Sequence, residues 1–130
     1  MSSYPTEREL RAWAAEPCAP ESFGHWDLVL SWDMDSARLH LFVELAADPT
    51  LPNAWLFLLV LYRWVSYAAR QKDFDSWRPH YDRWLDEVRG VRDPSVKRWR
   101  NRARRIFQGL DAFDDESWWD SFAADANPTE

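Results

Sequence analysis

The sequence predicts an all-α fold, a single compact bundle or short irregular α–α superhelix of six to seven helices around a central apolar helix at about 54–70. Three observations predict it. Apolar residues recur at helical spacing along most of the chain, and helix-capping residues punctuate it at short intervals. Two of only three glycines also fall where helices stop. A chain of 130 residues suffices for one domain. We read that domain as 1–124, with 125–130 as a frayed tail.

Thr6 and Glu9 form a capping box, and Leu10, Trp13 and Ala14 follow at helical spacing until Pro17 and Pro20 end the first helix. From Ser22 to Asp48 two patterns compete. As helices, Phe23, Trp26 and Leu30 make one stripe, and Leu39, Phe42, Val43 and Ala46 make another. As a hairpin, Trp26, Leu28, Leu30 and Trp32 alternate with polar neighbours, and Leu39, Leu41, Val43 and Leu45 supply the partner strand. The connecting Asp-Met-Asp-Ser-Ala lacks the Gly or Asn of short hairpin loops, whereas Asp33 or Asp35 suits a helix N-cap, so two helices are favoured.

Pro49 and Pro52 bracket a loop, after which Asn53 is the expected cap of the central helix. That helix is apolar all round except for Arg63 and Ser66, the pattern of a buried bundle centre. It is too short for a comfortable membrane span, which wants ~20 residues. Trp77, Tyr81, Trp84, Leu85 and Val88 form the next stripe, with Asp75 as its expected cap, Pro79 in its first turn and Gly90 at its left-handed end. Asp93-Pro94 opens a helix carrying Val96, Trp99, Ala103, Ile106 and Leu110, and a last helix runs from about Asp115 to Ala124. No helical repeat recurs at a fixed step.

The net charge of −6 is unevenly spread. Residues 1–60 sum to −6, residues 61–110 to +7 and residues 111–130 to −7. An acidic total argues against avid nonspecific nucleic-acid binding, although one basic face can still bind locally. Fourteen Arg against two Lys, with ten Trp, matches the codon bias of a GC-rich genome, so part of that excess carries no chemistry. The polar N-terminus has no apolar targeting core, and cytoplasm is the default.

Two surfaces are candidates. Lys97, Arg98, Arg100, Arg102, Arg104 and Arg105 crowd nine residues with no acid among them and leave only the apolar stripe uncharged. Such a face suits an anion or a nucleic acid. The nearer neutralisers are the chain's own Asp111, Asp114, Asp115, Glu116 and Asp120. The second surface is aromatic. Trp26 and Trp32, six positions apart, fall about 120° from a shared helical face, and Trp118 and Trp119 about 100°. One of each pair is therefore expected outside, where Trp serves as an interface anchor, with Phe122 one turn beyond Trp118. Trp77, Trp84 and Trp99 are expected in the core.

Catalytic patterns are sparse. His25, His40 and His80 have no second ligand at metal spacing, and no cofactor or metal is expected. Asp33 with Asp35, and Asp73 with Asp75, suit caps and turns better than a metal. Cys18, His25 and Asp27 hold the residue types of a thiol triad in one loop, a weak signal. These readings favour a small non-catalytic interaction module that binds a protein partner or itself. The alternative is a nucleic-acid-associated regulator using helix 97–105.

Overall fold

The computed structural model describes residues 5–17, 30–32 and 34–126. Six helices with described bounds follow in order among these residues: α1 (Glu7–Ala15), α2 (Ser36–Ala46), α3 (Ala54–Ala69), α4 (Phe74–Glu87), α5 (Pro94–Phe107) and α6 (Asp115–Ala126). Residues 30–32 are also helical. The described residues hold no strand, so the helical reading of 30–46 replaces the hairpin wherever residues are described. Cys18, His25, Trp26 and Asp27 lie outside them.

Local chemistry sets most boundaries. Thr6 and Glu9 close the expected capping box on α1. Asp35 Oδ1 accepts from the Arg38 N–H at 2.8 Å and starts α2. Asp93 accepts from the Val96 N–H at 3.1 Å, with Pro94 directly behind it, and starts α5.

Three expected ends are built differently. The Asn53 side chain makes no cap bond to α3; its Nδ2 donates to the Trp13 and Glu16 carbonyls at 2.9 and 3.0 Å. It therefore satisfies the open carbonyls at the end of α1 and ties that end to the start of α3. Helix α4 begins before Asp75, which pairs with Arg78 in the first turn, so Pro79 sits inside the helix. Gly90 does not take the left-handed conformation. Among the described glycines only Gly109 does, at φ 78°, where the chain leaves α5.

The arrangement is a bundle around α3, on which α1, α2, α5 and α6 all pack. Tyr62 and Trp64 lie two positions apart, about 200° around the helix, and send aromatic clusters to opposite sides. Trp64 meets Tyr81, Trp84, Trp99 and Phe107, with ring centroids 5.4–6.3 Å apart. Tyr62 meets Trp118 at 4.7 Å, Phe122 at 5.2 Å and Trp119 at 6.4 Å. On a third side Phe42 of α2 packs on Phe57.

Two expectations about the core change. Trp99 is fully buried as expected, but Trp77 is 43% exposed. Leu85 is the only residue of α4 buried outright; in its first half Phe74 packs on the buried Phe107 while Trp77 stays exposed. Helix α3 is not buried all round either, because Trp55 and Tyr67 are exposed.

Candidate functional site

The basic helix α5 is neutralised within the chain. Arg98 Nε donates to Asp125 Oδ1 at 2.8 Å, and Arg102 Nη1 donates to Asp125 Oδ2 at 3.1 Å. Arg104 holds Asp82 through two bonds at 2.9 and 3.4 Å, and Arg105 holds Asp111 through two at 2.8 and 3.2 Å. Arg100 is buried, and its Nε donates to the Leu85 carbonyl at 2.8 Å in the last turn of α4. Burial lowers its pKa, while Asp86 opposes that shift. Each like-charged pair one turn apart thus shares a carboxylate: Arg98 and Arg102 share Asp125, and Arg100 and Arg104 share Asp86.

The neutralising acids are mostly not those nearest in sequence. Of the acids at 111–120 only Asp111 pairs with α5. Asp114 accepts from the Ser117 N–H and hydroxyl, and Asp115 bridges to Arg70 at 2.5 Å. Asp82 and Asp86 come from α4, and Asp125 from the end of α6. These pairs occupy the guanidinium forks that a phosphate would need. Lys97 projects into solvent.

Asp125 is the buried centre of this network, only 6% exposed. The Tyr62 hydroxyl donates to it at 2.9 Å and accepts from Arg102 at 3.1 Å. Burial first, and the Asp125 carboxylate second, push the Tyr62 phenol well above its ordinary range. The cluster clamps the end of α6 to α3 and α5.

The aromatic candidates separate. Trp118 is buried, and its Nε1 donates to the Tyr62 carbonyl at 2.8 Å, so it belongs to the core and not to an outer surface. Phe122 is half-buried against Tyr62. Adjacent helical positions point about 100° apart, yet Trp118 and Trp119 both reach the Tyr62 ring. Trp119 stays half-buried at the edge of that cluster.

Trp32 is 53% exposed and lies against the 38% exposed Tyr67, with ring centroids 5.7 Å apart. The structure brings this pair and Trp119 to one groove of about 260 Å³, floored by Ser66 and rimmed by Arg63 and Arg70. Two candidates far apart in sequence, Trp32 and Trp119, thereby share a site. Tyr67 and Arg63 were missed because α3 read as wholly buried. The signal was the four-residue spacing of Trp55, Leu59, Arg63 and Tyr67, with a cation in the row.

Between α2 and α4, Glu87 Oε1 accepts from Ser36 Oγ at 2.8 Å and contacts His40 Nε2 at 2.9 Å. Hydrogen bonds from His40 and Ser36 hold the Glu87 carboxyl below its usual range. Serine and histidine both point at the same carboxylate oxygen, so this is an interhelical tie without the serine–histidine contact that activates a nucleophile. Among the described residues no group of His, Cys, Asp and Glu is placed to hold a metal ion, and no helix is long and apolar enough to cross a membrane. No protein-family model, curated protein or solved structure matches the chain.

Proposed function

We propose that the chain is a small non-catalytic helical interaction module that binds another polypeptide through the groove of Trp32, Tyr67 and Trp119. The observation that carries this reading is the exposed Trp32–Tyr67 pair beside Trp119. Large rings left in water forgo the burial that dominates core energetics, and Trp and Tyr are the side chains that interface centres favour. Arg63 and Arg70 supply the charged rim. The internal pairing of α5 favours this reading over a nucleic-acid regulator.

The test is affinity capture from the native lysate with the wild-type chain and a Trp32→Ser/Tyr67→Ser variant side by side, together with light scattering on each. A protein or a second copy held by the wild type and lost by an equally folded variant supports the reading. Equal retention by both, or a wild type that captures nothing and stays monomeric at high concentration, overturns it.

A further inference from the structure

We propose that the pocket where α2 and α4 end binds a small organic cation, an ammonium carried on an apolar body. The pocket shares no residue with the groove of Trp32, Tyr67 and Trp119, and it goes beyond the interaction-module reading. His40, Val43, Glu44 and Ala47 are spaced i, i+3, i+4 and i+7, so they fall on one face of α2 and its cap. Glu87, Val88 and Val91 come from the end of α4, and the two sets line a pocket of about 380 Å³. Gly90 also lines it, and nothing stands within 4 Å of the place a Cβ would take there. Val43, Ala47, Val88 and Val91 make the walls apolar, and the ionisable groups of the lining are His40, Glu44 and Glu87. A pocket of this size, apolar with a few polar groups, suits a small ligand, and the polar groups select it.

Glu44 is matched within the chain, since Arg11 Nη1 and Nη2 donate to its two oxygens at 2.6 and 3.2 Å. Glu87 is met by a hydroxyl and an imidazole instead. Ser36 and His40 both reach its Oε1. Its Oε2 accepts no hydrogen bond, and no Lys or Arg comes within ion-pair distance of it, among the described residues. Arg83, one turn back, acts on it only from further off, with its Nη2 against His80. Serine and a neutral imidazole lend hydrogen bonds but no positive charge, so Glu87 keeps an acceptor oxygen and a net charge beside the apolar walls. An ammonium meets both, while its hydrocarbon covers the valines. An apolar anion would face the carboxylate, and a neutral ligand would leave its charge unmatched.

The test is an NMR titration of the full chain that follows the methyl signals of Val43, Val88 and Val91, with hexylammonium, hexanoate and hexanol as probes. Hexylammonium should shift all three saturably, and the other two probes should bind about fivefold more weakly or not at all. Glu87→Gln and His40→Lys, each checked for folding by circular dichroism, should weaken hexylammonium by about fivefold. The second does so because its own ammonium takes the carboxylate. His40→Gln adds no charge and should bind as the wild type does. A lysine of another protein carries the same ammonium, and Nα-acetyl-lysine methylamide, which stands for it, should bind more weakly than hexylammonium. Absence of saturable shifts, equal binding of hexanoate or hexanol, or binding unchanged in either folded variant overturns the proposal. So does a loss with His40→Gln as large as with His40→Lys. Tighter binding of the lysine derivative also overturns it, in favour of a partner's lysine.

Discussion

Asp125 and the tryptophans show how much a single side chain settles here. Replacing Asp125 with Ala removes the acceptor shared by Arg98, Arg102 and the Tyr62 hydroxyl. Breaking a fully buried pair costs about 3–5 kcal/mol, but these arginines are part-exposed and can rehydrate, so about 2–3 kcal/mol is expected from urea unfolding. Tyr62 adds a pH signature. Its folded-state pKa is raised, so its contribution is complete below about pH 10 and declines above it, as the unfolded phenol ionises first. In an alkaline titration its phenolate absorbance should emerge only with unfolding. Two of the buried indoles differ as well. Trp118 Nε1 has the Tyr62 carbonyl, whereas Trp99 Nε1 is buried and meets no acceptor among the described residues. Trp118→Phe should therefore cost about 1–2 kcal/mol more than Trp99→Phe, measured by the same unfolding experiment. Neither difference was legible in the sequence, since both depend on which carbonyl lies opposite a ring.

Helix boundaries were the most legible level, because caps act within four residues. Thr6, Asp35 and Asp93 sit where their spacing placed them. Asn53 and Gly90 misled because their side-chain or backbone use is set from outside the helix: Asn53 serves α1, and Gly90 needs no left-handed turn. The two glycines make a paired prediction. A Cβ on Gly109 would lie 2.5 Å from Arg78 Nη1 at a φ of 78°, so Gly109→Ala should cost about 1–2 kcal/mol and lower the melting temperature. Gly90 has nothing within 4 Å, and Gly90→Ala should be neutral or stabilise by about 0.5 kcal/mol. The α5 arginines belong to this scale too. Their like charges one turn apart implied that something must offset them, but not that Asp82, Asp86 and Asp125 would do so in place of the adjacent 114–120 acids. With those forks filled, the chain should show no duplex-DNA binding at physiological salt, measured by fluorescence anisotropy.

At the scale of the whole molecule, one apolar helix organises everything else. Its length and composition announced a central element, and the periodicity of its neighbours announced an all-helical shell. Which of its faces stays open was not announced, because exposure depends on where α6 and residues 30–32 come to lie. Those placements leave Trp32, Tyr67 and Trp119 around one groove, while Trp77 stands exposed on another helix beside His80 and Tyr81. Both Tyr67 and Trp77 are exposed aromatics of similar accessibility, 38% and 43%, and only the first lines the groove. The most direct measurement therefore puts a photo-crosslinking residue at position 67 in one chain and at position 77 in another, and irradiates each in the native lysate. The account predicts a discrete protein adduct from position 67 and none from position 77. Adducts of equal yield from both, or from position 77 alone, would contradict it.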